Sequence, residues 1–154
     1  MSLLVMEHIE HPIGKGALTT NGVQYSAEVT TSDAEWTAVE TVTVAPRSMV
    51  KFIELEFGLT AAIKSSSTLK YVKWKWQARN KDGTWQDLIA EQTRAADASV
   101  YADMSCSGRK SAVSGLLDQV PFDVRFVIKR EDAAENVTGK TKNSSYVKVI
   151  YPTT

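Results

Sequence analysis

The sequence predicts an all-β protein: a single antiparallel two-sheet β-sandwich of about eight strands, with at most one or two short helices. Three observations predict it. Apolar and polar residues alternate with period two in several separated runs. Turn-forming residues interrupt those runs at short spacing. No heptad, internal repeat or strand–helix–strand rhythm appears.

Residues 1–15 read as a flexible N-terminal arm, because Pro12, Gly14 and Gly16 punctuate the chain rather than build an element. The domain proper then spans 16–154. A first strand falls in "VQYSAEVTT" (23–31), and a second in "WTAVETVTVAP" (36–46), which is rich in Val and Thr and stops at Pro46. In "KFIELEFGL" (51–59), Ile53, Leu55, Phe57 and Leu59 share one face and Glu54 and Glu56 the other. "LKYVKWKWQAR" (69–79) alternates again, and "TWQDLIAEQ" (84–92) returns after a turn. "SVYADMSC" (99–106) follows, then "FDVRFVIKR" (122–130), with Phe122, Val124, Phe126 and Ile128 together, then "SYVKVIYP" (145–152), with Val147, Val149 and Tyr151 together. Helical signals are confined to 90–98 and 108–119, and "KSSST" (64–68) reads as a mobile polar loop. The strand count and several loops of about ten residues fit a jelly roll. An immunoglobulin-type sandwich is the alternative, and its paired cysteines are absent.

The stretch "YVKWKWQARNKDGTW" (71–85) separates by parity. Val72, Trp74, Trp76 and Ala78 fall on one face; Tyr71, Lys73, Lys75, Gln77 and Arg79 fall on the other. Burying unpaired lysines is very costly, so the tryptophan face goes inward. A nucleic-acid platform needs aromatics and cations on one exposed surface, and on this strand only Tyr71 shares the lysines' side. Asn80, Asp82 and Gly83 then form a hairpin turn, with Gly83 at a positive-φ position. A calcium reading of Asn80 and Asp82 lacks a third ligand. The outward Glu54 and Glu56 and the outward Lys73 and Lys75 suggest neighbouring strands whose charges pair.

Lys+Arg and Asp+Glu each number 18 in 154 residues, so the chain is neutral, unlike a dedicated nucleic-acid binder. Residues 1–60 carry eight acids and three bases, and the rest of the chain ten acids and fifteen bases. The two halves neutralise each other across paired strands; head-to-tail self-association is the other reading. The single Cys106 excludes an intrachain disulfide and reads as packing. His8 and His11 sit in the arm, leaving none for a nucleophile–histidine pair in the body of the domain. No phosphate loop, dinucleotide fingerprint or zinc cluster is present. "MSLLVM" is too short for a signal peptide, and no apolar run reaches membrane length, so the expected location is cytoplasmic or virion-associated.

The order "WQARNKDGTW" (76–85), "VPFDVRF" (120–126) and "SYVKVIY" (145–151) resembles the strand grammar of jelly-roll modules. It is similar to galactose-binding-like domains and to small β-sandwich proteins of virions and phage tails. That resemblance implies a non-catalytic module that binds carbohydrate or docks onto an assembly. The expected function is therefore a structural or assembly module without cofactor, metal or catalytic residue, partnered by itself or another protein. The alternative is a carbohydrate-binding module using rim aromatics, with Trp36, Tyr71 and Trp85 as candidate ligand-binding residues. A small hydrolase is the third reading.

Overall fold

The structure, a computed structural model, describes residues 4–9, 18–20, 23–44, 54–67, 70–98, 100–111, 121–132 and 135–152; for 4–9, 18–20, 23, 151 and 152 it describes the backbone alone. The described chain is built of strands: β1 (Leu4–Ile9), β2 (Leu18–Thr20), β3 (Val23–Tyr25), β4 (Val29–Thr31), β5 (Thr37–Val44), β6 (Glu54–Ser65), β7 (Lys70–Arg79), β8 (Trp85–Asp87), β9 (Gln92–Ala96), β10 (Ala102–Ser111), β11 (Phe122–Arg130), β12 (Val137–Thr141) and β13 (Tyr146–Pro152). All pairings are antiparallel.

Several short strands are pieces of one longer line. Strands β12 and β13 both run along the same side of β6, opposite Ser65–Ala61 and Gly58–Glu54 respectively. On their far side, β1 pairs with β13 and β4 with β12. Strands β8 and β9 likewise line one side of β7. Eight strand positions result. The first sheet runs β1/β4, β12/β13, β6, β10; the second runs β5, β11, β7, β8/β9. In chain order these are positions 1-8-3-6 and 2-7-4-5, the arrangement of a jelly roll.

The interruption between β12 and β13 is satisfied by side chains. The Thr60 N–H donates to Ser145 Oγ at 2.8 Å, and Ser145 Oγ donates to the Thr60 carbonyl at 3.1 Å. Lys142 N donates to the same carbonyl at 3.1 Å. Part-buried backbone groups of Thr60 that face the gap between β12 and β13 are thereby hydrogen-bonded.

The core lies between the sheets. Leu55, Phe57, Leu59, Ala61 and Ile63 enter it from β6, and Val72, Trp74, Trp76 and Ala78 from β7. Phe126 stands directly opposite Trp76 across the strands, with ring centroids 5.1 Å apart. The tryptophan face therefore points inward, Trp76 being only 1% exposed. The turn after β7 also matches its sequence. Gly83 has φ 92°, and Asp82 Oδ1 accepts from the Thr84 N–H and hydroxyl at 2.9 and 2.6 Å.

Other expectations are corrected. Residues 92–96, part of a segment with a helical signal, form β9; its residues 92–95 are exposed, so no buried face imposes alternation. Of the 108–119 helical segment, Gly108–Ser111 continue β10 and 112–119 lie outside the described residues. Lys64 and Ser65 are strand, and Ser65 is buried with its N–H on the Asp97 carbonyl at 3.2 Å. Strands β6 and β7 belong to different sheets, so Glu54 and Glu56 do not pair with Lys73 and Lys75. Glu54 pairs with Arg109 on β10, and Glu56 with Arg109 and Lys148. The division into an arm (1–15) and a domain (16–154) is not decided by the described residues: Leu4–Ile9 pair with β13, and residues 1–3 and 10–15 lie outside the described set.

Candidate functional site

The outer face of the second sheet carries the residues singled out in the sequence. On β7, Lys73, Lys75 and Gln77 stand opposite Lys129, Val127 and Arg125 of β11. Lys73 facing Lys129 would repel. Glu91 lies between them, 3.3 Å from Lys73 and 3.6 Å from Lys129, and Glu131 is 3.7 Å from Lys73. The Glu91 hydrogen bond, with Glu131, holds the Lys73 ammonium above its ordinary value. Asp87 takes Lys75 at 3.0 Å and the Gln77 amide at 2.9 Å, while Gln77 Oε1 accepts from Arg125 Nε at 2.9 Å.

Trp36, just before β5, lies under two ammonium groups, Lys75 at 4.6 Å and Lys129 at 4.5 Å from its ring centroid. Trp85 lies 3.9 Å from the Arg125 guanidinium. Tyr71 is 48% exposed. Aromatics and cations therefore do share this surface, contrary to the parity argument from β7 alone, because both tryptophans arrive from other strands. Val127 is fully buried although it stands opposite Lys75 on the outward parity of β11. The three candidates do not converge. Tyr71 and Arg79, which faces Trp85, stand eight residues apart on β7, roughly 26 Å.

Two shallow clefts lie among the described residues. One, of about 300 Å³, is lined by Thr43, Arg79, Asn80, Lys81, Asp82 and Asp123 at the hairpin rim. Its acids are engaged: Asp82 by Thr84, and Asp123 by the Thr43 hydroxyl at 2.7 Å. Two basic side chains share the lining, so it does not resemble a calcium cage. The other, of about 350 Å³, lies on the first sheet between Thr60, Ser105, Ser107, Ser144 and Tyr146. Cys106 borders it, but burial pushes its thiol up to about 11, so the thiolate needed of a nucleophile is scarce at neutral pH. Among the described residues no group of three His, Cys, Asp or Glu side chains gathers as a metal site.

A second aromatic–basic cluster was not legible in the sequence. On the outer face of the first sheet, the Lys140 ammonium sits 3.9 Å from the Tyr25 ring centroid and 3.9 Å from that of Tyr101. Lys64 lies 4.8 Å from Tyr101, and Lys142 lies 5.8 Å from Tyr25. The Tyr101 hydroxyl donates to Glu28 at 2.5 Å, and Lys142 pairs with Asp103 at 2.8 Å. Burial, and less so the neighbouring lysines, pulls the Lys140 ammonium below its ordinary value. In the sequence Lys64 falls in a predicted loop and no strand is predicted around Lys140, so the meeting of side chains from β3, β6, β10, β12 and their connections was not legible.

No family model matches this chain, and no curated protein matches it. Solved structures do. A chain in the structure of the infectious bursal disease virus Gt strain is 7% identical, with 97% of this chain and 33% of that one covered, at a TM-score of 0.53. A chain in the Gx strain structure is 8% identical, with 97% and 32% covered, at 0.51. The present chain thus spans about a third of the length of each. At such identity the likeness is one of fold, in agreement with the jelly-roll order of the strands.

Proposed function

We propose that this chain is a non-enzymatic structural module of a protein assembly, of the virion-associated kind. The observation that carries the reading is the whole-length jelly roll, similar in fold to chains of a virus structure. The charged groups of the second sheet's outer face support it, because they hold one another in ion pairs rather than surround a reaction cavity. Assembly predicts that scattering mass rises with protein concentration and that electron micrographs show discrete oligomers. A mass that stays monomeric at every concentration would sink the reading.

Carbohydrate binding is a second reading, favoured by Trp36, Tyr71 and Trp85 sharing one outward face. It predicts that a glycan shifts the fluorescence of Trp36 or Trp85 and shields that residue from iodide. Unchanged emission across a glycan panel would remove it.

A further inference from the structure

The unequal charge of the two halves of the chain is only partly cancelled within the fold. Strand β6 loses its acids to Arg109 and Lys148. Several charged side chains have no ion pair among the described residues, Lys70, Arg94 and Lys110 among them, and two groups of opposite sign stand out. Asp33 and Glu35, in the exposed connection between β4 and β5, make no side-chain ion pair or hydrogen bond among the described residues. Lys64 and Lys140 make no ion pair there either; their ammonium groups rest only on tyrosine rings. Cation–π contact and the more distant Glu28 compensate a half-buried ammonium less than a carboxylate in contact does.

We infer that Asp33 and Glu35 of one copy dock onto Lys64 and Lys140 of a second copy. This rests on the assembly reading and names its surface. The acidic connection is held for the task. The Asp33 N–H donates to Thr31 Oγ1 at 3.1 Å, the Asp33 carbonyl accepts from Arg130 N at 3.2 Å, and Arg130 Nε donates to the Ser32 carbonyl at 2.6 Å. Trp36, under its two lysines, fixes the other end. Docking therefore orders little that is not already ordered. The two patches do not reach each other within one molecule. Thr30, Thr138 and Lys64 stand side by side across three strands. Three residues along the chain and two strand spacings place Asp33 roughly 14 Å from Lys64. The basic patch lies beside the β4 edge of its sheet, where a neighbouring copy has access.

The test is sedimentation velocity on the full chain and two variants, Lys64→Glu/Lys140→Glu and Asp33→Lys/Glu35→Lys. The expected result is association of the unmodified chain that weakens as salt rises from about 50 to about 500 mM. Each variant alone should associate at least about tenfold more weakly, since like charges then face each other. Mixed together, the two variants should restore association, because a basic connection meets an acidic patch. The second variant changes only an exposed connection, so the test stands even if the first fails to fold. If the unmodified chain and the Asp33→Lys/Glu35→Lys variant associate equally, this contact is wrong while the assembly reading survives. If the unmodified chain is monomeric throughout, both fall.

Discussion

Gly58 sits in the middle of β6, directly opposite Tyr146 of β13, and the tyrosine ring lies over it. A Cβ at position 58 would fall 2.4 Å from Tyr146 Cε1 and 2.8 Å from Cζ. Carbon atoms rest at about 3.5–4.0 Å, so Gly58→Ala forces the ring back by roughly 1 Å. Overpacking of this kind costs about 1–3 kcal/mol. Replacing glycine returns about 0.4–1 kcal/mol by narrowing the unfolded ensemble. The net expectation is a loss of about 1–2 kcal/mol, or a fall in Tm of roughly 2–8 °C for a domain of this size. The cross-strand neighbours should not act additively. In a Tyr146→Ala background no ring stands in the way, so Gly58→Ala becomes neutral or stabilising by a few tenths of a kcal/mol, about the return from the unfolded state. Urea unfolding of the four proteins, followed by the emission of buried Trp74 and Trp76, measures the coupling. An equal cost of Gly58→Ala in both backgrounds would refute the placement of the ring.

Two further outcomes follow from the same geometry. Ser145→Ala removes the hydroxyl that serves both the N–H and the carbonyl of Thr60, and should cost about 1–3 kcal/mol in urea, with faster hydrogen exchange at the Thr60 amide. An unchanged midpoint would mean that water replaces the hydroxyl freely. Cys106, with its thiol at about 11, should react at pH 8 with an aromatic disulfide reagent roughly 100-fold more slowly than an exposed cysteine. In the unfolded chain the same thiol ionises near its ordinary value of about 8.5. Its contribution to stability is therefore complete below that pH and declines as pH rises toward 11. Rapid labelling at pH 8 would contradict the burial.

Period-two alternation exposed the strands that have one buried face, and so β6, β7, β11 and β13 were readable. The inward course of Trp74 and Trp76 followed from the cost of burying Lys73 and Lys75. Strand β9 escaped notice because Gln92–Ala95 are exposed and lack alternation. Charge complementarity misplaced β6 beside β7. Opposite charges are met equally well by Arg109 and Lys148 in one sheet and by Asp87 and Glu91 in the other, so charge alone does not assign a strand to a sheet. The two tyrosine–lysine and tryptophan–cation clusters were hidden for a related reason. Their members come from strands distant in sequence, and the parity of one strand does not report what its neighbours contribute.

The strand order also sets a schedule. Among the described residues, β5 meets β7 only through β11, β4 meets β6 only through β12, and β1 pairs only with β13. Late segments of the chain thus wedge between early ones. As the polypeptide leaves the ribosome, the first strand waits unpaired until residues 147–152 have been made. Among the described strands, β6 with β10, β7 with β8 and β9, and the small β2–β3 hairpin can zip together before β11 emerges; β11 then joins β5 to β7, and β12 joins β4 to β6. A topology of this kind closes slowly and leaves bare strand edges during synthesis. The outward charges on β7 and β10 would then act as gatekeepers, keeping half-made neighbours on the same message apart until each has closed on itself.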